Sequence, residues 1–139
     1  MGFSVVKGVK GGPNEAANPP RRCPSPPSWL APHAKKEWKR AAKELHERRL
    51  LSDDTLATLE SYCVAVGQVR EFEETMQAEG RTVKTDKGVK PHPAFRMQGN
   101  AMREARLLAA ELGLTPHRRG VKGGNDEDEG DGWDPDLLA

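Results

Sequence analysis

Four basic side chains in the first half of the sequence have the spacing of one helix face. They recur at intervals of three and four residues: Lys36, Lys39, Arg40 and Lys43. Residues this far apart are neighbours on the surface of an α-helix, so the pattern predicts a basic stripe about two turns long. Lysine and arginine in such a stripe can neutralise the phosphates of a nucleic acid. An ordinary solvated helix face is the alternative interpretation.

A second basic element follows the last apolar helical pattern. Gly113 can end a helix in the left-handed conformation, and Pro116 cannot resume one. Arg118 and Arg119 come directly afterwards, preceded by His117. We name these three residues the basic strap and expect its two arginines to contact phosphates together with the stripe.

No group of residues has the spacing of a catalytic or metal site. Each of the four histidines (His33, His46, His92 and His117) stands alone, whereas a metal site needs three or four ligands together. Cys63 lies in an apolar helical pattern, which is typical of a packed thiol rather than a nucleophile. The sequence therefore predicts neither an enzyme nor a cofactor. No apolar run is long enough for a signal peptide or a membrane span, so we expect a soluble intracellular protein.

Three helical patterns must position these residues, which predicts an all-α fold with a long central helix. They cover about 33–49, 53–79 and 93–112, with apolar residues every three or four positions. Residues 81–91, between the second and third patterns, indicate a short β-hairpin or an ordered loop.

Glycine and proline are concentrated at both ends, outside a helical core of residues 32–116. This composition predicts flexible ends: a basic lead over 1–31 and, within 117–139, an acidic tail after the strap. Residues 126–136 carry seven acids and no base, and the rest of the chain has a net charge of +8. We expect the tail to keep the protein soluble, to screen its basic surface, or to dock Trp133 in a partner's groove.

The central helical pattern carries more apolar residues than two neighbouring helices can cover. Six of them are assigned to contacts between subunits: Leu59, Tyr62, Val66, Val69, Phe72 and Met76. Uncovered apolar surface usually marks an interface, and assembly would stabilise so small a core. A basic first helix and an acidic second helix could join subunits head to tail in a ring, or could pair within one subunit. A three-helix bundle that buries this stripe in its own core is the alternative.

The stretch from about Pro20 to Arg119 resembles the phage terminase small subunits, in the compact branch common in tailed phages and prophages. The residues that carry the resemblance are Trp29–Leu30, Glu37–Trp38, Leu50–Leu51, Asp54, Tyr62–Cys63, Ala65, His92–Pro93, the segment LGLTP at 112–116, and Arg118. It implies a non-enzymatic, homo-oligomeric ring that recognises double-stranded DNA at the packaging start site. It further implies recruitment and regulation of the large ATPase-nuclease subunit, in the cytoplasm of the bacterial host and without a membrane partner.

Two other functions fit the same residues. A small transcriptional regulator would bind a palindromic operator as a dimer, and the segment RRLLSDD at 48–54 could be the turn of a degenerate helix-turn-helix. A helical interaction module would use its charges on protein partners and would show no salt-sensitive affinity for DNA.

Overall fold

The structure, a computed structural model, describes residues 19–115. Its elements in chain order are α1 (Pro32–Glu47), α2 (Asp53–Glu79), β1 (Thr82–Thr85), β2 (Gly88–Pro91) and α3 (Pro93–Leu112). The all-α class, the long central helix and the hairpin before the last helix are confirmed. The basic strap and the acidic tail lie outside the described residues.

The three helices run antiparallel to their neighbours in sequence. His33 of α1 contacts Glu74 of α2, while Arg40 contacts Tyr62, so the two helices run in opposite directions. His92, just before α3, contacts Glu79 at the end of α2, and Gln98, further along α3, donates a hydrogen bond to the earlier Val69 carbonyl of α2 at 3.2 Å. The last turns of α1 and α3 and the first turn of α2 therefore share one end of the bundle. The hairpin lies at the other end, which we call the hairpin end.

The core lies where all three helices meet, with Leu45, Leu51, Leu59 and Cys63 fully buried at its centre. Helix α1 approaches α2 closely at Gly67, where a β-carbon would lie 3.0 Å from the amide nitrogen of Ala34. A glycine at this position lets the two backbones touch. None of the three helices in residues 19–115 is both long and apolar enough to cross a membrane.

The proline-rich segment before α1 packs along that helix. The indole Nε1 of Trp38 donates to the carbonyl of Pro24 at 2.9 Å, and Nε2 of His46 donates to the carbonyl of Pro20 at 3.0 Å. Leu30 is buried in the core. These contacts hold residues 19–31 against α1, while the rest of the lead, residues 1–18, lies outside the described residues. Prolines hold the backbone extended with its carbonyls unpaired, and side chains of α1 supply the donors.

The end of α1 is closed by a Schellman turn in which an arginine takes the position usually held by glycine. The amide of Leu50 donates to the Leu45 carbonyl at 2.9 Å, and the amide of Arg49 donates to the His46 carbonyl at 3.0 Å. Arg49 consequently has a φ of 58°. A left-handed conformation costs a residue with a β-carbon about 1–2 kcal/mol.

Candidate nucleic-acid interface

The exposed face of α1 carries the predicted basic stripe. The residues of α1 that pack inward are Ala34, Trp38, Ala41, Ala42 and Leu45. The four predicted bases lie between these positions and are all exposed: Lys36, Lys39, Arg40 and Lys43. The stripe extends about 10 Å along the helix axis, because seven residues separate its first and last members. The structure therefore brings the four α1 bases to one surface.

Arg40 differs from the three lysines because its guanidinium is already paired. Its Nε donates to both carboxylate oxygens of Glu37 at 3.1 Å, and its Nη2 donates to Glu37 and, at 3.3 Å, to the hydroxyl of Tyr62. Its Nη1 lies 3.6 Å from Glu44 Oε2. The hydrogen bonds to Glu37 raise the pKa of Arg40 above its ordinary value. The charge of Arg40 is therefore compensated within the bundle.

The three lysines have no such compensation. Among residues 19–115, no carboxylate lies within ion-pair distance of Lys36, Lys39 or Lys43, although Glu47 follows Lys43 by one helical turn. We call these three residues the lysine face. An ammonium group on a flexible stem is a point charge that can bind a phosphate without a fixed geometry. Electrostatic contact with a polyanion is the chemistry this surface can perform.

The helix that carries the lysine face is linked to α2 by hydrogen bonds among Glu37, Arg40 and Tyr62. The hydroxyl of Tyr62 donates to Glu37 Oε1 at 2.7 Å, which joins α2 to α1. Burial and then the hydrogen bond to Glu37 raise the pKa of Tyr62 above its ordinary value.

Burial also raises the pKa of the neighbouring Cys63 thiol to about 12. Cys63 is therefore a protonated, inaccessible packing residue and has none of the properties of a reactive thiol.

Half of the residues assigned to subunit contacts are covered within the chain itself. Leu59, Tyr62 and Met76 are buried, and Leu59 and Tyr62 belong to the core cluster that α2 shares with α1 and α3. Val66, Val69 and Phe72 are half-buried. Of the six assigned residues, all of which lie in the described part of the chain, only the half-buried three retain surface that a second subunit could cover.

The large apolar side chains that remain exposed lie mainly on α3 and were missed by the sequence reasoning. They are Trp29, Val89, Phe95, Met97, Met102 and Leu107, each between 47% and 66% exposed. Phe95 and Met102 are seven residues apart and therefore share one flank of α3. The seven-residue spacing of Phe95 and Met102 is the sequence pattern that could have revealed them. Each of the two follows a buried alanine, Ala94 or Ala101, by one residue.

The hairpin presents a second, separate set of bases. Lys84 pairs with Val89, and Lys90 with Val83, across the two strands, while Lys87 lies in the turn. All three lysines are exposed. Arg81, just before β1, is instead tied to Glu73 at 2.5 Å. Hydrogen bonds from Gln98 and then from Arg81 lower the pKa of Glu73.

The histidines of the described region make hydrogen bonds within the fold. Nε2 of His33 donates to Glu74 at 2.6 Å, and Nε2 of His92 donates to Glu79 at 2.8 Å. His92 also caps α3, because its Nδ1 accepts the amide hydrogen of Ala94 at 3.0 Å. Residues 19–115 contain no group of three or more potential ligands that could hold a metal ion.

The helix-turn-helix alternative requires the start of α2 to approach the DNA. Asp53 and Asp54 occupy its first turn and are exposed, and their carboxylates would meet phosphates of the same charge. The other predicted bases, Arg118 and Arg119, lie outside the described residues.

Comparison with known proteins gives one result. A family described as "Phage terminase, small subunit" matches residues 34–129. Neither the curated proteins nor the solved structures contain a significant match. The matched range includes α1, α2, the hairpin and α3.

Proposed function

The chain belongs to the phage terminase small-subunit family, and we propose that the lysine face of α1 is its contact with double-stranded DNA. Membership of the family gives the chain a role in phage DNA packaging. In the proposed mechanism the protein recognises the packaging start site and recruits and regulates the large subunit. Catalysis belongs to that ATPase-nuclease subunit, and the small subunit acts without a cofactor in the cytoplasm of the bacterial host.

The observation that supports DNA binding most directly is the uncompensated charge of Lys36, Lys39 and Lys43. Three exposed ammonium groups within about 10 Å of helix would repel one another unless an anion lies between them. Duplex DNA carries one negative charge for about every 1.7 Å of its axis, so several phosphates can lie opposite the lysine face. The proposed contact also includes Arg118 and Arg119.

We further propose that the protein acts as a homo-oligomeric ring. The exposed side chains on α3, Phe95 and Met102 above all, together with half-buried Val66, Val69 and Phe72, supply apolar surface for a neighbouring subunit. Exposed apolar residues lie both on α3 and in the segment before α1, where Trp29 is found. This arrangement suits a contact between two different surfaces of neighbouring subunits. Contacts of that kind close into rings.

The DNA contact can be tested with two variants of equal charge. In the first, Lys36, Lys39 and Lys43 are replaced by Gln; in the control, the hairpin lysines Lys84, Lys87 and Lys90 are replaced by Gln. Affinity for duplex DNA is measured by fluorescence anisotropy over a series of salt concentrations. Because each phosphate contact contributes about −0.9 to the slope of log K against log salt, loss of three contacts makes this slope less negative by about 2.7.

We expect the full change in the first variant and a clearly smaller one in the control. Equal changes in both variants would mean that binding follows net charge and that α1 is no specific contact. An unaltered slope in the first variant would refute the proposed interface. Light scattering on the same samples measures the subunit number: a dimer that binds a single palindromic operator would support the regulator instead.

A further inference from the structure

We propose that the acidic tail, residues 126–136, docks on the lysine face of its own chain and competes there with DNA. This inference rests on the proposed function of that face. The tail carries seven carboxylates without a base, and the lysine face carries three ammonium groups without a carboxylate partner in the described region. A segment of this composition presents closely spaced negative charges, as a nucleic-acid backbone does.

Helix α3 ends close to the last turn of α1, the helix that carries the lysine face. Gly113 lies against Leu50, since a β-carbon on this glycine would be 3.4 Å from Leu50 Cδ1. Leu112 belongs to the same core cluster as Leu45 and Leu51. The chain therefore leaves α3 beside the last turn of α1. From Leu50, Lys43 is about 10 Å and Lys36 about 21 Å back along the helix axis.

The length of the connection is sufficient for this contact. Asp126 follows Thr115 by eleven residues, which reach at most about 36–40 Å when fully extended. The lysine face lies well inside that reach. The hairpin lysines lie at the opposite end of α3, a helix of 20 residues and hence about 30 Å long. A tether must be almost fully extended to reach them, which lowers the effective concentration of the tail there.

The expected effect on DNA binding follows from competition within one molecule. A short tether gives an effective concentration on the order of 1 mM. Weak electrostatic binding to a polyanion has a Kd on the order of 0.1 mM. The tail would then occupy the lysine face most of the time and weaken DNA binding by about tenfold at low salt. A DNA site that makes contacts beyond the lysine face can displace the tail, whereas a phosphate backbone alone competes poorly.

Lysine acylation followed by mass spectrometry tests the contact directly. The full chain is compared with a variant in which the seven acids of residues 126–136 are replaced by Asn or Gln at unchanged length. We expect Lys36, Lys39 and Lys43 to react several-fold faster in the variant, and the hairpin lysines Lys84, Lys87 and Lys90 to react at unchanged rates. The protection in the full chain should also persist on dilution, because the contact is within one chain.

Three results would overturn the proposal: unchanged rates at the lysine face, an equal increase at the hairpin lysines, or protection that is lost on dilution. DNA anisotropy on the same two proteins separates this inference from the proposed function. If both proteins bind DNA with equal, salt-sensitive affinity, the competing tail is refuted and the DNA contact stands. If neither protein binds DNA, the proposed function fails, while the acylation rates still decide whether the tail docks.

Discussion

Substitution of Gly67 by alanine tests how closely α1 is held against α2. The new β-carbon would lie 3.0 Å from the Ala34 amide nitrogen and 3.1 Å from Ala34 Cβ. Because one of these atoms belongs to the backbone, α1 must shift to relieve the contact. Overpacking of this kind costs about 1–3 kcal/mol. Alanine in place of glycine inside a helix stabilises by about 1 kcal/mol, so we expect Gly67→Ala to change stability by between about 0 and −2 kcal/mol.

Gly99→Ala provides the matched control, because Gly99 also lies inside a helix and its β-carbon would meet no atom within 4 Å. This variant gains the helix propensity without the contact and should be more stable than the parent by about 1 kcal/mol. The difference between the two variants isolates the contact with Ala34, at about 1–3 kcal/mol. Urea denaturation at one fixed protein concentration measures both values, since assembly adds concentration-dependent stability. Equal stabilisation of the two variants would refute the close packing of α1 on α2 at this point.

Three further predictions concern the core and the helix ends. Burial raises the pKa of the Cys63 thiol from 9.0, its ordinary value, to about 12 in the folded protein. The free energy of unfolding should therefore fall as the pH rises from about 9 to 12, because the unfolded thiol ionises first. In urea titrations Cys63→Ala should flatten this pH dependence, and Cys23→Ala, at an exposed position, should not. His92→Ala removes the cap of α3 and should lower the free energy of unfolding by about 1 kcal/mol, whereas His92→Asn, which can still cap, should retain most of it; equal losses would contradict the capping role. Arg49→Gly relieves the left-handed conformation and should raise the melting temperature, with a net gain of about 0.5–1 kcal/mol; a lower melting temperature would show that the arginine side chain stabilises the turn.

The helices and the hairpin could be predicted from the sequence because their signals are local. The capping sequence before α2, the proline at the start of α3 and Gly113 at its end act within one turn of the chain. The order of the proline-rich segment could not be predicted, since it depends on donors that α1 supplies from up to 26 residues away, as in the contact of His46 with Pro20. Composition describes how a segment behaves when it has no partner, and only the fold shows that a partner exists.

The surface of α1 was partly predictable for the same reason. Helical spacing alone places Lys36, Lys39, Arg40 and Lys43 on one face. Spacing also allows Arg40 to pair with Glu37, three residues earlier on the same helix. It cannot show that Tyr62 joins this pair, because Tyr62 lies on another helix. The buried position of Gln98 is a similar case, because composition favours the neighbouring apolar Met97 for the core, yet Met97 is 47% exposed and Gln98 is buried. Gln98 is buried because its amide donates to the Val69 carbonyl and, at 2.8 Å, to Glu73.

The division between paired and unpaired bases limits the kind of DNA recognition that α1 can perform. Arginine reads a guanine through two parallel hydrogen bonds, which a planar guanidinium supplies. On α1 the guanidinium of Arg40 is occupied by Glu37 and Tyr62, and the bases left free are lysines. Point charges bind phosphates with little regard to sequence. The proposed interface is therefore suited to holding the DNA backbone. Selection of a packaging start site would require DNA shape, read by several lysine faces around an assembly, or basic residues outside α1, such as Arg118 and Arg119.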